Sequence, residues 1–154
     1  MKTRLHRGTA EESGALGAYV KLMRAANSVT ARIHRHLADT HLTVSQFGVI
    51  EALYHLGPLT QGEIARKILK TSGNVTLVID NLEKRGLVAR MHKQGDRRCF
   101  VIHLEEKGRR LMNDLFPPHA SRIIREMNVL TSKEQEELAR LCKKLGLGAD
   151  HKKR

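Results

Sequence analysis

Four short segments between Leu42 and Leu104 do most to limit what this chain can fold into. "LTVSQFGVIEALYHLGP" opens with Ser45 as a candidate N-cap. It sets Phe47, Ile50, Leu53 and Tyr54 at helical spacing and stops at Gly57-Pro58. "LTQGEIARKIL" opens on a capping box, Thr60 with Glu63, in which a hydroxyl serves one free amide and a carboxylate another. "TSGNVTLVIDNLEKRGLV" then places Val75, Val78, Ile79 and Leu82 on one helical stripe and stops at Gly86. Last comes "RMHKQGDRRCFVIHL", two strand-like runs around a tip at Gln94-Gly95-Asp96.

Two short helices joined by a tight turn and followed by a hairpin form a winged helix-turn-helix. In that arrangement the second helix enters a major groove about 12 Å wide, so its leading turn carries small polar groups. Thr71, Ser72, Gly73, Asn74 and Thr76 fit this demand: they can hydrogen-bond base edges or phosphates, and Gly73 permits close backbone approach. The positive N-terminal end of the helix favours a phosphate there. Charge agrees. The chain holds 28 Lys and Arg against 16 Asp and Glu, a net +12 that calls for a polyanionic partner. Residues 66–98 hold nine basic residues, among them Lys84, Lys93, Arg97 and Arg98, against Asp80, Glu83 and Asp96. That is half the net charge in about a fifth of the length.

The hairpin gathers Lys93, Arg97 and Arg98 around its glycine and keeps one carboxylate among them. An arginine at such a tip can enter a narrow minor groove, where the potential is most negative. A carboxylate two residues earlier can hold its guanidinium by a bidentate pair, so Asp96 is expected to orient Arg98. The plainer alternative is a surface ion pair of little energetic weight.

Flanking segments read as helices with wide apolar faces. Over 13–39, Leu22, Ala26, Val29, Ile33 and Leu37 form a stripe with Leu16, Tyr19 and Met23 beside it. After the hairpin a helix is expected with Leu104, Leu111, Met112 and Leu115 inward, kinked or broken at Pro117-Pro118. A second capping box, Thr131 with Glu134, opens a last helix with Leu138, Leu141, Cys142 and Leu145 on one face and a stop at Gly146. The expected layout is a loose arm over 1–12, one mainly α domain with a small β-wing over 13–148, and a basic tail over 149–154.

At these residues the sequence resembles the MarR family of bacterial transcriptional regulators. "VARMHKQGDRRCFVIHLEEKG" supplies the family's wing pattern in Val88, Arg90, Asp96, Arg98, Ile102, Leu104 and Gly108. "NLEKRGLV" resembles the end of the family's recognition helix. Glu105 stands where the family usually has a threonine that caps the next helix. The resemblance covers about residues 15–147. It implies a homodimer, with 13–40 and 105–147 as dimerisation helices and 45–104 as the DNA-binding lobe. It further implies a regulator, a repressor or else an activator, that grips a near-palindromic double-stranded operator; the low cysteine count fits a reducing, cytoplasmic setting. Many family members are released from DNA by a small phenolic or other weakly acidic aromatic ligand, bound between the dimerisation helices and the lobe. "ALYHLGPLTQGEIARKIL" and "TSGNVTLVID" are most similar to members that respond to quinones or related phenols; the alternative is no small-molecule effector.

Other classes find little footing. Cys99 and Cys142 are too few for a disulfide framework. Cys142, on an apolar helix face, reads as inert packing, whereas Cys99 beside Arg98 is either an inward strand residue or a thiol with a lowered pKa. No secretory signal and no run of about 18 apolar residues is expected to carry the chain into a membrane. His34 and His36 are two apart, which on an α-helix points them to different faces, so the histidines read as solvated or DNA-adjacent rather than as metal ligands. With no nucleophile–base pair or Gly-rich phosphate loop, neither an enzyme nor a cofactor is expected. A chromatin-like binder would lack the polar leading turn.

Overall fold

A computed structural model describes residues 9–68, 72–93 and 95–148, without the side chains of 72, 73, 93 and 96–99. Its elements, in order, are α1 (Ala10–Ile33), a 3-10 segment (His34–Thr40), α2 (Val44–Leu56), β1 (Leu59–Thr60), α3 (Gln61–Lys67), α4 (Ser72–Lys84), β2 (Val88–Lys93), β3 (Asp96–Leu104), α5 (Glu106–Met127) and α6 (Ser132–Leu147). The chain divides into two units, residues 34–119 and the segments on either side of them. Thr71, Gln94 and the tail from 149 lie outside the described residues, as do residues 1–8 of the expected arm.

The unit 34–119 is a lobe built as a winged helix-turn-helix. Its sheet runs β1-β3-β2, all antiparallel, with Leu59 opposite Ile102 and Arg90 opposite Ile102 on the other side. Phe47 and Ile50 of α2, Ile64 of α3, Ile79 and Leu82 of α4, Ile102 of β3 and Met112 of α5 are fully buried together. At the end of α4 the amide of Leu87 donates to the Leu82 carbonyl and that of Gly86 to Glu83, with Gly86 at φ +67. This is the glycine stop expected there. Gly57, at φ +77, ends α2 in the same role. Gly108 lies against the backbone: a Cβ there would meet the Leu87 carbonyl oxygen at 2.2 Å.

Several expectations need correction. Helix α2 is capped by Thr43, not Ser45: the Gln46 amide donates to the Thr43 hydroxyl, and the Thr43 amide to the Gln46 side chain. Thr43 has a glutamine three residues on, whereas Ser45 has Gly48, which has no side chain to answer. Helix α1 begins at Ala10, behind a reciprocal Thr9–Glu12 pair, and ends at Ile33 rather than near Asp39. Beyond it the chain winds more tightly, bringing Leu37 and then Leu42 into the lobe core. His41 turns the chain at φ +55, and its carbonyl accepts from Arg85 Nη1 at 2.9 Å. Leu104 closes β3 instead of sitting on α5.

Pro117-Pro118 do not break α5, which is continuous through both. Met112 before them and His119 after them are buried, so packing on both sides holds the helical path while the proline rings stay exposed. Gly146 does not stop α6 either. That helix reaches Leu147, and Gly148, at φ +69, donates to Leu145.

In the other unit both expected features of α6 matter. Its Thr131–Glu134 capping box is present. Gln135 Nε2 donates to the carbonyls of Met127 and Leu130, pinning the corner between α5 and α6. Arg32 Nε donates to Glu126 at 2.6 Å. Yet Ile33 alone is buried among the described residues of this unit. Leu16, Tyr19, Val20 and Met23 of α1, and Leu138, Leu141 and Leu145 of α6, are exposed. Cys142 is exposed as well, which corrects its reading as packed.

Candidate nucleic-acid interface

Helix α3 starts at the Thr60–Glu63 capping box, where the Thr60 amide donates to the Glu63 carboxylate at 2.8 Å. Its first residue, Gln61, reaches across the helix-turn-helix: Gln61 Nε2 donates to the Thr76 hydroxyl of α4 at 2.5 Å. Burial of Val75, Ile79 and Leu82 fixes the inward face of α4. At 100° per residue this leaves Gly73, Leu77 and Lys84 on the opposite face, with Asn74 and Asn81 along one flank. Asn74, Thr76 and Lys84 are exposed. Ser72 and Gly73 lie in the first turn of α4. Lys84 closes the helix roughly 18 Å from Ser72, at 1.5 Å per residue. It therefore serves the opposite end of the surface from the leading turn.

The wing is β2, Gly95 and β3. Gly95 sits at φ +86, a conformation that favours glycine, and Lys93 pairs with Asp96 after an irregularity between His92 and Lys93. Asp96, Arg97 and Arg98 open β3. The proposed Asp96–Arg98 side-chain pair lies outside the described residues, and so does the Cys99 side chain. Below the tip the His92 ring stacks on Phe100, centroids 4.4 Å apart, stiffening the middle of the hairpin.

Arg85 and Arg90 are among the nine basic residues of 66–98, and Arg90 belongs to the wing pattern, but the sequence assigns neither a partner. Arg90 in fact spans from β2 to α4: Nη2 donates to Asp80 at 2.5 Å, Nη1 to Glu83, and its backbone amide to Glu83 at 3.2 Å. The Asp80 hydrogen bond, helped by Glu83, holds its guanidinium above the usual arginine value. One half-buried arginine thus neutralises both acids of α4 and fixes the wing to it. Arg85 is spent on His41, while Lys107 Nζ donates to the Arg85 carbonyl. Gln61 was missed too. No spacing rule links it to Thr76, fifteen residues on.

A second feature lies on α2. His119, 3% exposed, packs against the rings of His34 and His36, with centroids at 5.5 and 5.2 Å, and against Phe47 at 4.6 Å. This corrects the reading of His34 and His36 as solvated. In a 3-10 turn residues two apart diverge by about 120° rather than about 160°, so both can flank one ring. Among the described residues no group of histidines, cysteines and carboxylates is placed to hold a metal ion. Beside this cluster is a cleft of about 430 Å³, lined by His34, Phe47, Glu51, His55, Lys67 and Ile68 among others. Burial raises the Glu51 carboxyl above its ordinary value, against the lowering influence of His55 and His34. The cleft therefore offers apolar lining from Ala52, Leu56 and Ile68, the Lys67 ammonium, the imidazoles of His34 and His55 and the Glu51 carboxyl.

Among the described residues no helix is long and apolar enough to cross a membrane. The sequence pattern of the MarR family matches residues 42–100. The chain is 36% identical over 135 residues to the HTH-type transcriptional regulator MhqR of Bacillus subtilis, covering 88% of this chain and 93% of the relative. It is 36% identical over 141 residues to the uncharacterised HTH-type transcriptional regulator YkoM of the same species, 92% of each. Among solved structures, BpsR of Bordetella bronchiseptica, whose DNA binding is described as regulated by 6-hydroxynicotinic acid, superposes with a TM-score of 0.75. Their identity is 25%, over 92% of this chain and 98% of that one. AbsC of Streptomyces coelicolor, at 19% identity, shares the fold with a TM-score of 0.78 over 90% of this chain and 94% of its own.

Proposed function

Because the chain belongs to the MarR family of transcriptional regulators, we propose that it is a repressor that binds a near-palindromic operator as a homodimer. In this reading residues 45–104 read the DNA, while 13–40 and 105–147 join the subunits. The observation that carries it is the exposed surface of α4: polar apart from Leu77, tied to α3 through Gln61–Thr76 and to the wing through Arg90. Asn74 and Thr76, with Ser72 and Gly73, contact base edges or the nearest phosphate. Lys84, Lys93 and Arg97 contact phosphates, and Arg98, oriented by Asp96, enters the minor groove. The open leucines of α1 and α6 support a dimer, since apolar faces of this extent are normally covered by a partner.

The test is competitive binding on sequences selected from a random duplex pool, with light scattering on the same sample. A dimer preferring the selected sequence by ~10³ or more is expected. Equal affinity for selected and random DNA would overturn the regulator reading. A monomer that retains full preference would overturn the dimer.

A small effector is the second part of the proposal. The cleft beside α2 suits a weakly acidic aromatic, phenolic or quinone-like, with its ring on Ala52, Leu56 and Ile68 and its anionic group toward Lys67, His34 and His55. A relative in fold regulated by 6-hydroxynicotinic acid supports this class. Titration of a phenol and hydroxybenzoate panel against the DNA complex should find a compound that releases wild type but not Lys67→Ala. Release of both proteins alike, or of neither, would remove the cleft from the account.

A further inference from the structure

The described lobe leaves one large apolar side chain in an unexpected place. Leu77 is 64% exposed, more than any other large apolar residue described between 34 and 119. It stands two residues from buried Val75, some 200° around α4 and so on the outward face. Its surroundings there are polar: Asn74 one turn before, Asn81 one turn after, and Lys84 beyond. A lone surface leucine ordinarily needs no explanation. This one occupies the centre of the helix face assigned to the major groove, where every other outward side chain can hydrogen-bond or carry charge.

We propose that Leu77 is a specificity residue that reads the C5-methyl groups of thymines. The inference rests on the DNA-binding reading above. In the major groove only thymine presents a methyl group, so an apolar side chain there discriminates in its favour. The neighbours agree in chemistry. Asn74 and Asn81 flank Leu77, and a carboxamide pairs in bidentate fashion with N6 and N7 of adenine, whose partner is thymine. The centre of each half-site is therefore expected to hold A·T pairs, with adenines toward the asparagines and thymine methyls against Leu77. Without a charge or hydrogen-bonding group, Leu77 contributes nothing to phosphate binding.

The experiment uses the full chain and the sequence it selects from a random duplex pool. Each thymine is replaced singly by deoxyuridine, which removes the methyl group and leaves every hydrogen bond in place. Wild type should lose about fourfold in affinity at one or two central positions, the worth of one buried methyl. Leu77→Ala should bind the selected sequence more weakly, bind random DNA and melt as wild type does, and show no loss with deoxyuridine. Loss at those positions in both proteins, or at no position in wild type, overturns the assignment while leaving specific binding intact. Failure to select any sequence overturns the DNA-binding reading itself, and this inference with it.

Discussion

Arg90 of β2 holds Asp80 of α4 at 2.5 Å, and its other terminal nitrogen takes Glu83 one turn further along. The helix face beside the candidate interface thereby carries two carboxylates without presenting them to DNA as free negative charge. Arg90→Ala should cost about 1–3 kcal/mol of lobe stability through its lost charged hydrogen bonds. It should also weaken selected and random DNA alike, because both acids then repel phosphate. Arg90→Lys should recover only part of either, since an ammonium lacks the fork that spans two acceptors. Fluorescence anisotropy and urea titration check this. Unchanged random-DNA affinity in Arg90→Ala would show that the acids do not face the phosphates.

Arg98→Ala should reduce operator affinity by about 1–3 kcal/mol and leave the melting temperature nearly unchanged. Asp96→Ala should reproduce much of that loss, because an unheld guanidinium gives up entropy on entering the groove. Equal operator affinity for wild type and Arg98→Ala would rule out the minor-groove role of the wing.

Gly108→Ala should destabilise the lobe by about 2–3 kcal/mol or more. The new methyl would meet the Leu87 carbonyl oxygen at 2.2 Å, and that carbonyl already accepts from the Glu105 amide at 3.0 Å, so it cannot easily withdraw. Gly62→Ala is the control. A Cβ on Gly62, in α3, meets nothing within 4 Å, and alanine there should be neutral or stabilising by up to about 1 kcal/mol. Equal midpoints for the two variants in chemical denaturation would contradict this.

Glu51 gives the lobe a pH dependence of defined sign. Burial raises its folded pKa, so the folded state holds the proton more tightly than the unfolded chain does. This contribution to stability is complete below the ordinary carboxylate pKa and is lost as pH rises through the raised folded value. Glu51→Gln cannot lose it. The stability of the variant relative to wild type should increase across that window and then level off, measured as thermal midpoints from about pH 4 to about pH 8. A constant difference across the window would mean that Glu51 titrates as an exposed acid.

What the sequence alone determined lies within a few residues along the chain. The capping boxes at Thr60–Glu63 and Thr131–Glu134, and the glycine stops at Gly57 and Gly86, follow from side chains meeting free amides three residues away or from a backbone angle that glycine adopts readily. The Thr43–Gln46 cap has the same three-residue spacing, and Gln46 has the side chain that Gly48, three residues from Ser45, lacks. Tertiary structure decided the rest. Arg90 is ten residues from Asp80, Gln61 fifteen from Thr76, and Leu59 forty-three from Ile102. No local periodicity chooses among partners at such separations, because several arginines and acids satisfy charge equally well until the core brings one pair into reach. The unbroken α5 has the same origin. Two prolines remove two amides from the ladder, but Met112 and His119 are buried on either side of them. Packing energy, summed over contacts distant in sequence, there outweighs a strong local rule.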